Sequence, residues 1–256
     1  MPTPQQLHAL IAEGIRTGQY PSRLYKYRKF DHNTDSLFVD HHLYFSNPSA
    51  FNDPFDCQIH DNHHYTRDEI FRYLRSRDVD PAQAGLLADS HQRDPSLFQT
   101  LLAQVKEMVI GSKGILSLSE RPDDILMWSH YSESHTGFVM GFDVPRDIPF
   151  FTTPFRVNYS GSYPAYAYLI ESDKILSHGM MTKSDHWSYE QEVRILKNNQ
   201  GLHPFDKASL VEVILGARTT NANSTRVQQL LNNNGYAHVA VRQASVSRTN
   251  YAIDIA

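Results

Sequence analysis

Cysteine is nearly absent from this sequence, which contains a single one, Cys57, among 256 residues. One thiol excludes an intramolecular disulfide and a thiolate zinc cluster. Long apolar runs are also missing, and none approaches the roughly 18 residues that a membrane-spanning helix needs. The first residues lack the basic and apolar regions of a secretory signal. These absences predict a cytoplasmic protein with no membrane partner.

An excess of positive charge is likewise missing. The formal net charge is −4 and the isoelectric point is about 6.4, so no global basic field would attract nucleic acid or an anionic membrane. Hydrophobic residues make up 40% of the chain, which is enough to bury a sizeable core and argues against disorder. The length fits one large domain, predicted here over residues 1–256.

Strand patterns lie towards the two ends of the chain, around a helical middle. Aromatic and branched residues predict early strands at 23–30 and 36–46. Residues 66–111 have helical periodicity, which begins with capping-box spacing between Thr66 and Glu69. Because no βαβ alternation is present, we predict an α+β fold with a mostly antiparallel or mixed sheet. The segment 66–111 is then a helical insertion or lid.

The stretch 114–143, GILSLSERPDDILMWSHYSESHTGFVMGFD, mixes apolar strands with hydroxyl and aromatic side chains. Alternation puts Ser117 and Ser119 on one face of the first strand, where their hydroxyls can bind a ligand or the neighbouring backbone. No G-x-S-x-G motif surrounds either serine, which disfavours a hydrolase nucleophile. His130 and Tyr131 can stack on a flat ligand. We predict that this stretch forms the floor of a site.

A cluster of charges follows in the segment 189–196, which alternates as a strand. In a strand, Glu190, Glu192 and Arg194 would share one face because residues i, i+2 and i+4 point the same way. Two interpretations remain open at this point. One is a solvated face with weak ion pairs, and the other is a site whose carboxylates face a ligand.

Two further features have both a functional and a structural interpretation. Arg28, in the run LYKYR, can bind a phosphate with its guanidinium or stack on the tyrosines around it. The histidines of the run 60–64 lack the fixed ligand spacing of a metal motif. No metal site is predicted.

Together these segments resemble the bacterial DUF2971 family of domains of unknown function. The blocks that carry the resemblance are LYKYR, FNDPFD, SLS followed by MWSHY, H-x-G and W-x-x-E-x-E-x-R, over roughly residues 24–216. The combination is specific, although no single block is. The family has no firm activity as a group, so the resemblance does not settle function.

The chain also resembles, more distantly, ADP-ribosyltransferases of the Arg-Ser-Glu type. The matching positions are Arg28 on an early strand, Ser117 with Ser119 on a Ser-x-Ser strand, and Glu190 with Glu192 in a Glu-x-Glu motif. The residue between the serines is leucine, where many such enzymes have threonine. The resemblance implies a split sheet and NAD as the substrate.

It also implies a role for each matching residue. Cleavage of the nicotinamide bond builds positive charge on the ribose, as glycoside cleavage does, and so requires a fixed carboxylate. Glu192 would hold the ribose and stabilise this charge, and Glu190 would orient or deprotonate the acceptor. The arginine would bind the pyrophosphate, and the two serines the nicotinamide-ribose end. His130 or Tyr131 would form part of the nicotinamide wall.

The resemblance therefore predicts an NAD-dependent ADP-ribosyltransferase that acts on an unidentified protein or nucleic-acid acceptor. Its setting would be that of a bacterial toxin or anti-phage effector, with an antitoxin or defence-system partner. One alternative is a non-catalytic nucleotide-sensing or protein-interaction module of the same fold. Another is a metal-dependent hydrolase that uses the histidines of residues 60–64.

Overall fold

The computed structural model describes residues 3–58, 60–61 and 63–256, without the side chains of residues 4, 97, 98, 101, 102 and 106. The chain forms two compact units. Unit 1 comprises Met1–Ser46, Gly114–Val157 and His186–Ala256, and unit 2 comprises Asn47–Lys113 and Asn158–Asp185.

The regular elements are numbered here in chain order. The α-helices are α1 (Pro4–Arg16), α2 (Thr34–Val39), α3 (Arg67–Ser76), α4 (Pro81–Arg93), α5 (Pro95–Gly111), α6 (Ile125–Tyr131), α7 (Ile175–Met180) and α8 (Asn221–Asn233). The strands are β1 (Arg23–Arg28), β2 (His42–Phe45), β3 (Gly114–Ser119), β4 (Phe138–Asp143), β5 (Phe155–Arg156), β6 (Asn158–Ser160), β7 (Thr182–Ser184), β8 (Glu192–Lys197), β9 (Gly201–Pro204), β10 (Leu210–Leu215), β11 (Ala240–Val246) and β12 (Ile253–Ile255).

A large mixed sheet is the centre of unit 1. In the described part of the unit, eight strands pair in the order β12-β11-β10-β4-β1-β3-β8-β5. The pair β10 and β11 is parallel, and the other neighbours are antiparallel. Strands β2 and β9 form a separate antiparallel ladder. The prediction of helices combined with a mostly antiparallel or mixed sheet is confirmed.

Both faces of this sheet are covered by apolar side chains, because successive residues of a strand point to opposite faces. Leu24 of β1 and Met140 of β4 belong to a large buried cluster on one face. Tyr27 and Val139 belong to a second cluster on the other face, together with Trp128 of α6. The central strands are therefore buried on both sides, and any polar group on them needs a partner.

Unit 2 consists mainly of helices α3, α4, α5 and α7, with a short parallel pair of strands, β6 and β7. Thr66 and Glu69 form the predicted capping box at the start of α3. Ile70, Ala88 and Leu169 belong to the apolar core of this unit. None of the described helices is long and apolar enough to cross a membrane. The assignment of 1–256 as one domain with a helical insertion at 66–111 stays a prediction.

The predicted strand over residues 36–46 is wrong in its first half, which forms helix α2. The turn before it is closed by Asp31, whose backbone N–H donates to the Thr34 hydroxyl at 2.9 Å and whose carboxylate accepts from the Asn33 backbone N–H at 2.9 Å. Leu37 and Phe38 are adjacent, and both are buried in the same cluster. A strand would send them to opposite faces, whereas a helix allows both to pack inward.

Candidate functional site

Strands β3 and β8 bring the predicted serines next to the predicted charges. Ser119 lies opposite Glu192, and Ser117 lies opposite Arg194. Directly opposed residues of an antiparallel pair point to the same face, with Cβ atoms about 4.5–5.5 Å apart. The hydroxyls of β3 and the charges of β8 therefore share one face of the sheet in unit 1.

Glu190 lies outside this strand, so the prediction that it shares a strand face with Glu192 is wrong. It ends a 3-10 helix, Asp185–Glu190, and β8 begins at Glu192. Gln191 between them has φ +41°, a left-handed conformation that interrupts strand alternation. The Ser119 hydroxyl donates to the Glu190 backbone carbonyl at 2.6 Å. This bond fixes the turn against the end of β3.

The charged residues of this segment are buried. Glu190 and Glu192 are each 4% exposed and Arg194 is 0% exposed, so the interpretation as a solvated face is wrong. The Arg194 guanidinium donates to both carboxylate oxygens of Glu192, from Nε to Oε1 at 2.8 Å and from Nη2 to Oε2 at 3.1 Å. Such two-pronged, charge-assisted pairs are among the strongest side-chain interactions. The charge of Glu192 is thus matched within its own strand.

Helix α6 brings aromatic side chains to the same cluster. The Tyr131 hydroxyl donates to Glu190 Oε1 at 2.6 Å. Burial raises the pKa of Tyr131, and the neighbouring Glu190 charge raises it further, so Tyr131 stays a neutral donor at physiological pH. His130 Nδ1 lies 3.0 Å from the Tyr189 hydroxyl. His130 and Tyr131 therefore lie beside the Glu-x-Glu segment, and each has a hydrogen bond to a residue at or just before its start.

Trp128 anchors α6 to the sheet. Its side chain is fully buried, and its Nε1 donates to the Pro122 carbonyl at 2.7 Å. The Trp128 and Tyr27 rings are nearly perpendicular, with centroids 5.4 Å apart. The Asp124 carboxylate caps the helix by accepting from two backbone N–H groups. The prediction that Trp128 packs in the core is confirmed, and its packing holds Tyr131 in place.

Lys26 of β1 borders the site through the backbone of β3, a contact that the sequence reasoning missed. Its ammonium donates to the Ser117 carbonyl at 2.8 Å, where β1 and β3 pair through Tyr25 and Ser119. Burial lowers the pKa of Lys26 to about 8 and Arg28 lowers it as well, while the glutamates at 192 and 190 oppose the shift. Alternation puts Lys26 on the same face of β1 as the buried Leu24, away from the Ser119 hydroxyl, so the sequence signalled a buried lysine but not its contact with the backbone of β3.

Arg28 does not join the group. It lies opposite Phe138 of β4, a member of the large cluster on the face away from Ser119. Its Nη2 lies 3.6 Å from Asp31 Oδ2. Burial lowers the pKa of Arg28, and the Asp31 charge opposes that shift. The structure thus brings the serines, the glutamates and the α6 aromatics together, and places Arg28 on the other face.

No metal centre is found in the part of the chain that the structure describes. Within it, no group of three or more histidine, cysteine, aspartate or glutamate side chains lies close enough to hold an ion. Of the histidine run 60–64, Asn62 lies outside the described residues.

A family model described as a protein of unknown function (DUF2971) matches residues 127–195. The match confirms the predicted family over these residues. The DUF2971 segment contains Tyr131, Glu190 and Glu192, whereas Arg28 and the Ser-x-Ser strand precede it. No curated protein and no solved structure matches the chain. The family match therefore covers the two glutamates and Tyr131 of the candidate site but not the serines, and its description names no activity.

Proposed function

We propose that the chain is an NAD-dependent ADP-ribosyltransferase that modifies a macromolecular acceptor. The observation that carries the proposal is the pair of buried glutamates, Glu190 and Glu192, held beside Ser119 at the end of β3. The order of an early arginine, a Ser-x-Ser strand and a Glu-x-Glu motif supports the same reaction. The limited pairing of β1 with β3, compared with the full-length pairing of β1 with β4, supports a split sheet.

In the proposed reaction, the bond between the ribose anomeric carbon and the nicotinamide nitrogen breaks. Nicotinamide leaves with the bonding electrons, and a nucleophile of the acceptor forms the new bond to the same carbon. Glu192 stabilises the positive charge on the ribose, which is the part of the transition state that needs a fixed carboxylate. Glu190 takes the proton of the acceptor, and Tyr131 holds its carboxylate in place. Ser117 and Ser119 contact the nicotinamide-ribose end.

Binding of the pyrophosphate is a separate part of the proposal. The motif order assigns it to Arg28, although the strand register puts Arg28 on the face opposite Glu192. His130 is proposed to line the nicotinamide position, because its ring meets that of Tyr189 with centroids 6.0 Å apart beside the glutamates. Substitution of Arg28 therefore tests pyrophosphate binding without touching the carboxylates.

Incubation of the purified protein with NAD labelled on the adenylate phosphate, in a cell extract, tests the function. Label is expected to appear on protein or nucleic acid, with release of an equal amount of nicotinamide. Glu192→Gln should lower transfer by about 100-fold or more, as loss of one transition-state contact does. Glu133→Gln, at an exposed glutamate of the same unit, is the matched control and should transfer at the wild-type rate.

Two outcomes would reject parts of the mechanism. Transfer by Glu192→Gln at the wild-type rate would eliminate the proposed role of that carboxylate. An unchanged KM for NAD in Arg28→Gln would remove Arg28 from pyrophosphate binding and leave the roles of the glutamates untouched. Melting temperatures of all variants must be compared, because Glu192 also bonds a buried arginine.

A non-catalytic nucleotide-sensing or interaction module is the second candidate, and one observation favours it. Both oxygens of Glu192 accept from Arg194, so the carboxylate already has a full charge partner. Such a pair fits a structural role. Calorimetry with NAD separates the two functions: heat of binding without release of nicotinamide indicates the module, and release of nicotinamide indicates the enzyme.

A further inference from the structure

A cavity of about 610 Å³ opens in unit 1 beside the β2–β9 ladder. Its lining includes two lysines, Lys197 and Lys207, two phenylalanines, Phe150 and Phe205, and His41. The volume is within the range of about 300–1,000 Å³ typical of small-molecule sites. None of the residues of the candidate transferase site lines it. We refer to it as the β2–β9 cavity.

The two lysines are held in place by contacts that leave donors available. Lys197 Nζ donates to the Pro149 carbonyl at 3.1 Å and lies 5.5 Å from the centroid of the Phe150 ring. Lys207 Nζ donates to the Asn234 carbonyl at 3.0 Å and lies 5.5 Å from the centroid of the Tyr236 ring, which is outside the cavity lining. An ammonium has three N–H donors, and within the described residues these contacts use one on each lysine. Each lysine of the lining is therefore anchored by one hydrogen bond and keeps donors for a further partner.

The carboxylates of the cavity are engaged in holding its loops. Asp147 is buried and accepts from the backbone N–H groups of Asp206 at 2.7 Å and of Phe150 at 3.2 Å. Asp206 in turn accepts from the backbone N–H of Ala208 at 2.9 Å. These bonds engage both carboxylates with backbone donors. Burial lowers the pKa of Lys197, and the Asp147 charge opposes that shift. The carboxylates thus have partners within the loops, and the two lysines are the cationic side chains of the lining.

His41 adds a polar group of fixed orientation. Its Nδ1 lies 2.9 Å from the Phe205 carbonyl, which can only accept, so Nδ1 carries the proton. Its backbone has φ +45°, a left-handed conformation that is unfavourable for a residue with a side chain. Strain of this kind is found most often at ligand sites. The buried Phe150 and Phe205 supply an apolar wall next to it.

We propose that the β2–β9 cavity binds a small organic anion, in which a phosphate or carboxylate is attached to a flat apolar group. The anionic group binds Lys197 and Lys207, and the flat group packs against Phe150 and Phe205. Neither the anionic nor the flat part of the ligand is expected to bind tightly alone. An ammonium in contact with solvent gains little free energy by binding a hydrated ion, and the apolar wall is small. This site is independent of the proposed transferase function.

Calorimetry with four simple probes tests the proposal. Phenyl phosphate and benzoate carry both halves of the ligand, phenol carries the flat group alone, and inorganic phosphate carries the anion alone. At least one of the first two is expected to bind about tenfold more tightly than phenol and inorganic phosphate, a difference of about 1.4 kcal/mol. Comparison of phenyl phosphate with benzoate shows which anion the site prefers.

Substitutions locate the binding. Lys197→Gln and Lys207→Gln should each weaken it by about tenfold, and Lys29→Gln, at an exposed lysine of the same unit, should leave it unchanged. Melting curves check folding, and Lys207→Gln serves alone if Lys197→Gln is unstable. The proposal is overturned if no probe binds at millimolar concentration, or if phenol or inorganic phosphate binds as tightly as the better of phenyl phosphate and benzoate. It is also overturned if the lysine variants bind like the wild type.

Discussion

Removal of one partner of the Glu192–Arg194 pair is expected to cost much more stability than removal of both. The Arg194 side chain is fully buried and that of Glu192 nearly so. Substitution of one partner of a buried ion pair typically costs about 3–5 kcal/mol, because the remaining charge stays in a medium of low polarity. A domain has about 5–15 kcal/mol of stability in total. Either Glu192→Met or Arg194→Met should therefore leave unit 1 marginally stable.

The double variant Glu192→Met/Arg194→Met should lose less than either single variant. Replacement of a whole buried pair by apolar side chains of similar volume is often neutral or stabilising, since no charge is left without its partner. Urea denaturation at neutral pH, followed by circular dichroism, gives the four free energies of the cycle. The coupling free energy between the two residues is interpreted only if all variants have the same dependence of unfolding free energy on urea concentration. A changed slope indicates a changed unfolded state.

An exposed pair provides the control. Glu13 and Arg16 on α1 form an ion pair with side chains 56% and 72% exposed, and their substitution should alter stability little. The reasoning fails if the double variant at 192 and 194 loses as much as the two single variants summed. In that case the two charges are not coupled, and their burial has another cause.

The remaining predictions concern the surroundings of the pair. Tyr131→Phe removes the hydrogen bond to Glu190 and should cost about 1.5–3 kcal/mol of unfolding free energy, with the fully exposed Tyr251→Phe as a control that changes nothing. The pKa of Lys26 is lowered to about 8 from 10.5, so between those values the unfolded state binds more protons and stability rises with pH. The stability of wild type relative to Lys26→Met should therefore increase from about pH 7.5 to about pH 9.5, and a constant difference in urea midpoints would refute the shift. Gly137→Ala would place a methyl group 2.1 Å from a β1 carbonyl oxygen and should lower the melting temperature, at a cost of about 1–3 kcal/mol.

Much of unit 1 follows from local pattern. The residue pattern of 114–119 predicts β3, because a strand buried between neighbouring strands is rich in apolar residues. Trp128 can be predicted as a core residue from its size and its position in a helix. The strand at 36–46 fails because Leu37 and Phe38 suit either a strand or a helix. Only tertiary packing decides between the two.

The candidate site is less predictable for a physical reason. Glu192 and Arg194 have the i, i+2 spacing that makes strand neighbours, so their pairing follows from alternation alone. Whether Lys26 reaches Ser117 depends on the pairing of β1 with β3, which are far apart in sequence. Arg28 illustrates the converse, because its place in the motif order says nothing about which face of β1 it occupies.

The backbone of Gln191 gives the spacing between the two glutamates a diagnostic use. Its φ of +41° is open to glycine, asparagine and similar residues but excludes β-branched ones. In related sequences, a Glu-x-Glu with glycine or asparagine in the middle should preserve the break before β8, with one carboxylate on the turn and one on the strand. A valine or isoleucine there would instead mark a continuous strand with both carboxylates on one face. The identity of this middle residue, read from sequence alone, thus separates relatives that can build the Glu190–Tyr131 contact from those that cannot.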